Sequence, residues 1–264
     1  MKKGICLGSI PGADMEERFR NAADAGFQGV EVNTLRTQAE REQVKGLSER
    51  YGVPVMSVMN SDHWRYPLSD PNAKVVRKSL EGIEQSIETA SFLGADTVLV
   101  VPAVVTPDVA YEEAYQRSAD AIRRVLPLAT ERGVTLAVEN VWNKFLLSPV
   151  EFAAYVDGFG SPFVRAYFDV GNILLYGYPH QWIRTLGGRI CKVHVKGFDV
   201  KAFRFTYLME GSVEWSRVVS ALRAAGYDGY ITAELPVDPA DPLGRFYQTS
   251  ADLDTILSMA SQER

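Results

Sequence analysis

Apolar positions in this chain follow two rhythms that alternate from end to end. Short β-branched runs, apolar nearly throughout, lie at Gly4–Gly8, Gly29–Asn33, Pro54–Asn60, Thr97–Pro102, Thr135–Val141, Val164–Val170, Ile190–Lys196 and Gly229–Leu235. Continuous apolarity of that length, rather than strict alternation, suits parallel strands covered on their outer face. Between the runs the spacing turns helical. Met15, Phe19, Ala22 and Ala23 fall at i, i+4, i+7 and i+8, and Val218 and Leu222 continue such a stripe near the end. Glycine marks the helix exits: Ala25-Gly26-Phe27-Gln28-Gly29-Val30 is echoed by Ala225-Gly226-Tyr227-Asp228-Gly229-Tyr230, with Gly52, Gly94 and Gly133 in equivalent places. Eight strands, each followed by a helical stretch, predict a (β/α)8 TIM barrel. Its rival, an open doubly wound sheet, lacks a GxGxxG after the first strand.

No linker, charge block or low-complexity segment divides the pattern, so residues 1–264 are expected to form a single TIM-barrel domain. The hydrophobic content of 46% supports one large core. A net charge of −5 disfavours nucleic acid as a partner. No apolar run approaches the roughly eighteen residues of a membrane span. The apolar part of Met1-Lys2-Lys3-Gly4-Ile5-Cys6-Leu7-Gly8 is too short for a signal peptide, so a cytoplasmic protein with no membrane partner is expected. Cys6 and Cys191 show no CxxC spacing, which argues against a disulfide framework or a zinc knuckle. Self-association into a homo-oligomer stays open.

The candidate chemistry sits at the ends of four strands. Glu139 closes Thr135-Leu136-Ala137-Val138-Glu139, Asp169 closes Ala166-Tyr167-Phe168-Asp169, His194 closes Cys191-Lys192-Val193-His194, and Glu234 closes Tyr230-Ile231-Thr232-Ala233-Glu234. A lone carboxylate in such a place is usually ion-paired or hydrogen-bonded. Four together, with three carboxylates and one imidazole at neighbouring strand ends, suit a divalent cation bound by oxygen and nitrogen. Two long connections, from Ser61 to Pro71 and from Gly197 to Ser212, follow the carboxyl ends of strands, where barrel enzymes do chemistry, and are candidate lids.

Five segments together resemble the xylose isomerase-like superfamily of TIM barrels, in its sugar phosphate isomerase/epimerase and ketose 3-epimerase branches. They are Val138-Glu139-Asn140-Val141-Trp142-Asn143-Lys144-Phe145, Phe168-Asp169-Val170-Gly171-Asn172, Lys192-Val193-His194-Val195-Lys196, Glu210-Gly211-Ser212-Val213-Glu214-Trp215 and Ile231-Thr232-Ala233-Glu234-Leu235. The resemblance implies that Glu139, Asp169, His194 and Glu234 hold Mn²⁺, with Mg²⁺, Co²⁺ or Zn²⁺ as alternatives. It also implies that Glu139 and Glu234 act as acid and base on opposite faces of a ketose or ketose phosphate, through a metal-stabilised cis-enediolate. An inosose dehydratase-type lyase would use the same metal. An apurinic endonuclease-like hydrolase needs more histidines than His63, His180 and His194. The chain departs from tagatose/psicose-type epimerases at Asn172, where they carry His, at Phe145, where they carry Glu, and at Lys196-Gly197, where relatives read Lys-Asp. These departures leave the sugar open.

Secondary candidates surround this set. Asn60, His63, Trp64 and Trp142 are expected to line a sugar pocket, with ordinary packing as the alternative for Trp142. An amide at Asn172 can donate to a hydroxyl. Lys196 and Arg204 are placed to reach a phosphate or hydroxyl, or else are solvated loop cations. Glu210 is a substrate contact or a solvated carboxylate. Glu31, at the end of the second strand, reads as a supporting or ion-paired group rather than a ligand. Phe203, Phe205 and Tyr207 offer the longer loop an apolar cover.

Overall fold

A computed structural model describes residues 1–259. Eight parallel strands close a barrel: β1 (Lys2–Cys6), β2 (Gly29–Asn33), β3 (Val55–Met59), β4 (Thr97–Val100), β5 (Thr135–Glu139), β6 (Val164–Asp169), β7 (Ile190–Val195) and β10 (Tyr230–Ala233), with β1 hydrogen-bonded to β10 at the seam. Helices α1 (Met15–Asp24), α2 (Gln38–Tyr51), α3 (Ala73–Leu93), α4 (Tyr111–Glu131), α5 (Pro149–Asp157), α6 (Val170–Ile173), α7 (Pro179–Leu186), α8 (Trp215–Ala224) and α9 (Pro242–Ser258) fill the connections. This is the (β/α)8 architecture that the alternating pattern predicts. The continuous apolarity of the strands has a direct cause, because β4 is buried at all of its positions, between the barrel interior and the helices.

Local chemistry sets the helix ends. Asp14 caps α1 by accepting from the Glu17 N–H (2.8 Å), and Thr37 and Glu40 form a capping box on α2. Each such cap is worth about 1 kcal/mol. The echoed pair Gly26 and Gly226 adopt φ of +75° and +73°, a conformation costly for any residue with a Cβ.

Strands β3 to β7 and β10 end one or two residues earlier than expected, and two further departures are larger. The first strand begins at Lys2 rather than Gly4, because Lys3 keeps its stem in the barrel wall and sends its ammonium out to Ser250 (2.9 Å) and Asp254 (2.8 Å). The long connection after β7 is not irregular. It folds into an antiparallel hairpin of β8 (Gly197–Asp199) and β9 (Arg204–Thr206), with Phe203 in its turn at φ +52°. The connection after β3 is pinned by Arg36 to Asp62 (2.7 Å) and by Ser69 to the Val104 backbone.

Candidate metal centre

Side chains two residues apart on a strand share a face. A strand that sends one residue into the barrel therefore sends the second residue after it to the mouth. Ala137 is followed by Glu139, Tyr167 by Asp169, Lys192 by His194, and Thr232 by Glu234. Register places Glu139 beside Tyr167, Asp169 beside His194, and His194 beside Thr232. One ligand atom from each of Glu139, Asp169, His194 and Glu234 lies within 4.8 Å of the other three.

His194 Nδ1 stands 2.9 Å from Glu139 Oε1 and 3.8 Å from Glu234 Oε2. Asp169 is fixed through Oδ1, which accepts the Asn172 backbone N–H (2.7 Å). Lys196 Nζ lies 2.7 Å from Asp169 Oδ2 and also pairs with Glu234, so one ammonium is shared between two carboxylates. Burial raises Glu139 to about 7, and the Glu234 and Asp169 charges add to it against the pull of His194. Burial also raises Asp169, over the opposing ammonium of Lys196. Glu234, despite burial, is pulled down to about 2 by His194 and Lys196. Burial opposes the charged form of His194, but Tyr167 and Glu31 beside it hold the ring well above the usual imidazole value. The donor set, gathered within 4.8 Å, and the two raised carboxyls fit a divalent cation with oxygen and nitrogen ligands.

A second polar layer lies beneath. His194 Nε2 is 2.8 Å from Glu31 Oε1, while Glu31 Oε2 accepts from Ser57 (2.6 Å) and from Tyr167 (2.7 Å). Cys6 Sγ lies 3.3 Å from Glu31 Oε1. Glu31 is thus ion-paired as expected, but it lies in the middle of β2 rather than at its end. Ser57, Tyr167 and Cys6 went unnoticed in the sequence because neutral residues inside strands carry no signal of their own. Only the alternation phase that they share with the strand-end ligands marks them.

The remaining candidates divide. Lys196 is nearly buried between Asp169 and Glu234, rather than solvated in a loop. With Glu31, Glu234, Phe205 and Met59 it lines a cavity of about 510 Å³ at the mouth. Trp142 stacks on Phe205 (4.7 Å between centroids) and Phe203 (6.0 Å), and its indole N–H donates to the Asn172 carbonyl (3.0 Å). The Asn172 side-chain amide donates to the Asn140 carbonyl (3.0 Å), and Asn140 in turn clasps the Asp169 backbone. His63 is buried against Trp64 with Nδ1 unpartnered, and burial lowers it to about 4 against the raising charges of Glu234, Asp62 and Glu31. Asn60 is wholly buried and lies against Gly82 of α3, on the helix side of the wall. Arg204 is exposed on β9, in register with Asp199. Glu210 is held by Arg245 (2.6 Å) and does not line the cavity.

The family model for xylose isomerase-like TIM barrels matches residues 19–255. The chain belongs to that family. L-ribulose-5-phosphate 3-epimerase UlaE of Salmonella paratyphi B is 28% identical over 237 residues, covering 85% of this chain and 83% of that protein. Among solved structures, a D-tagatose 3-epimerase-like protein superposes with a TM-score of 0.84 at 19% identity, over 97% of both chains. An L-ribulose 3-epimerase gives 0.79 at 20% identity, over 97% of this chain and 94% of that one. At such identities the two structures establish the shared fold. No described helix of the family member is long and apolar enough to cross a membrane.

Proposed function

We propose that this family member is a divalent-metal-dependent 3-epimerase of a ketose or ketose phosphate, with Glu139 and Glu234 exchanging the proton. The observation that carries the reading is the convergence of three carboxylates and one imidazole within 4.8 Å at the mouth. It comes in a chain whose relative over 85% of its length is named an L-ribulose-5-phosphate 3-epimerase. Glu139, Asp169, His194 and Glu234 would hold the ion, Mn²⁺ on the family resemblance. A bound divalent cation supplies charge stabilisation to the substrate oxygens when the proton beside the ketone leaves.

The rest follows from the chain's own groups. Glu139 and Glu234 rise from β5 and β10, which are separated in the wall by β6 and β7. A sugar carbon held between them meets one carboxylate on each face. One carboxylate oxygen takes the proton from its side and the other carboxyl returns one from the opposite side, which inverts the centre. Burial raises Glu139 in the ion-free cluster, and a bound cation would favour its ionised form, the form that accepts a proton. Lys196 is the one cation lining the cavity among the described residues, and its ammonium offers a donor to a substrate oxygen. Trp142, Phe203 and Phe205 form an aromatic wall that excludes water from the reacting face.

Incubating metal-loaded protein in D₂O with ketoses, ketose phosphates and inososes tests the reading. Deuterium at carbon 3 with appearance of the 3-epimer is expected. Aldose carrying deuterium at carbon 2, with label at carbon 1 of the recovered ketose, would make the protein an isomerase, and loss of water from an inosose would make it a dehydratase. No exchange in any of them would overturn the assignment.

A further inference from the structure

The layer beneath the metal ligands is not used by the proposed proton exchange, yet it is built with care. Cys6, Glu31 and Ser57 are register neighbours on β1, β2 and β3, and Tyr167 reaches across the barrel from β6. Glu31 accepts from four groups: His194 Nε2 (2.8 Å) and Cys6 Sγ (3.3 Å) at Oε1, and Ser57 (2.6 Å) and Tyr167 (2.7 Å) at Oε2. His194 is its only basic partner. Burying a carboxylate this deeply is costly, and an apolar side chain of similar size often stabilises a core as well or better. The arrangement therefore asks for a role beyond packing.

His194 is the one side chain that belongs to both layers. Its Nδ1 faces Glu139 and Glu234, and its Nε2 faces Glu31. The Tyr167 ring packs on the imidazole at 4.4 Å between centroids, which holds the ring plane. A neutral imidazole has one N–H and one lone pair. An ionised carboxylate can only accept, so Glu31 retains the proton on Nε2 and the Nδ1 proton is the one the ring gives up on binding an ion. We infer that Glu31, fixed by Ser57, Tyr167 and Cys6, is a positioning residue that sets the His194 tautomer and aims Nδ1 at the divalent cation held with Glu139, Asp169 and Glu234. The inference rests on the metal-centre reading above. It also means that the close trio of Cys6, Glu31 and His194 supports the mouth site rather than forming a second one.

Glu31→Gln reverses the chemistry with little change of shape. Ser57 and Tyr167 would occupy the amide oxygen, turning the amide N–H₂ toward Nε2 and driving the imidazole proton to Nδ1, where it blocks the ion. Titration calorimetry with Mn²⁺ and Zn²⁺ alone should show affinity falling about 10–100-fold, the usual cost of losing such a partner to a ligating histidine. Long-range ¹⁵N–¹H spectra of the Zn²⁺-loaded wild type should show His194 protonated at Nε2 and metal-bound at Nδ1. The metal-free Glu31→Gln protein should carry the proton on Nδ1. Glu31→Asp keeps an acceptor-only group and should recover part of the affinity, while Tyr167→Phe, which removes one donor and spares the carboxylate, should lose less than Glu31→Gln. Should Glu31→Gln fail to fold, the Asp and Phe variants carry the test, and wild-type affinity in both would overturn the inference. A folded Glu31→Gln protein with unchanged affinity and unchanged tautomer overturns it directly. A wild type that binds no divalent cation overturns the metal reading itself, and this inference with it.

Discussion

Two polar layers stacked in one barrel treat buried charge in opposite ways. In the lower layer Glu31 meets four donors. Burial works against its charge, yet His194, Ser57 and Tyr167 hold its carboxyl below the ordinary value. In the upper layer Glu139 and Asp169 are both raised by burial, although Lys196 Nζ lies 2.7 Å from Asp169 Oδ2. A buried carboxylate is tolerable when its compensation is supplied. Folding supplies it below. Above, Lys196 and His194 supply only part of it, and a bound cation would supply the rest.

Removing that cation is the largest perturbation of the contrast. Chelation to a metal-free state, verified by elemental analysis, should abolish deuterium exchange, and Mn²⁺, Co²⁺ or Mg²⁺ should restore it to different extents. Mn²⁺ should also raise the thermal midpoint. A ligand at one hundred times its Kd stabilises the native state by about 2.7 kcal/mol when it binds only that state. Full activity in metal-free protein would erase the distinction between the layers.

Glu139→Gln and Glu234→Gln come next. Each keeps a coordinating oxygen but removes most of the basicity, so turnover should fall by about 10²–10⁴-fold with metal still bound at reduced affinity. Because the two groups address opposite faces, one variant should still exchange deuterium into one epimer without completing inversion. Wild-type epimerisation in both metal-saturated variants would mean that the bases lie elsewhere.

The upper layer was legible in the sequence and the lower one largely was not, for a physical reason. An ionisable residue ending an apolar run, such as Asp169 after Ala166-Tyr167-Phe168, violates the pattern around it and stands out. Ser57 and Tyr167 violate nothing, because their hydroxyls become polar partners only once β3 and β6 face each other across the barrel. The same limit applies to direction. Asn60 shares a strand end with plausible pocket residues, but the alternation that brings Met59 to the cavity turns Asn60 toward α3. The barrel itself was readable because continuous apolar strands and glycine helix exits are local signals. The β8–β9 hairpin was not, since its pairing lies within a segment that reads only as long and polar-aromatic.

A pH series sharpens the comparison at its edge. His63, beside the upper layer, is lowered chiefly by burial to about 4. Its unfolded value is about 6.5, so on acidification the unfolded chain takes up the proton first. The stability involved is intact above about pH 6.5 and is lost progressively toward pH 4, by at most about 3 kcal/mol. Glu139, raised to about 7, acts with the opposite sign in the same window, since its folded form holds a proton that the unfolded form has released. Denaturation of wild type and His63→Gln at several pH values separates the two, because the Glu139 contribution is common to both. The wild type should lose stability relative to the variant as the pH falls from about 7 to about 5. Parallel curves would remove His63 from the account.

The smallest expected effect lies in the aromatic wall over the two layers. Trp142 and Phe205 are both exposed by more than a third, yet they stack at 4.7 Å with an interplanar angle of 26°. Phe198, buried beneath, meets both rings edge-on. Such a stack is worth about 0.5–1.5 kcal/mol beyond the area that it buries. Phe205→Ala should therefore leave the proposed metal ligands untouched, with Mn²⁺ affinity unchanged, while loosening the cover that β9 holds over the cavity. If the wall acts by closing over bound sugar, KM should rise by roughly three- to tenfold, matching that energy, with a smaller change in kcat. The Trp142 emission should shift to the red as the indole meets water, and substrate should no longer shift it back. A loss of metal affinity would place Phe205 in support of Lys196, whose ammonium sits 5.4 Å from that ring centroid, rather than in the lid. An unchanged KM together with unchanged emission would show that the wall is closed by other contacts.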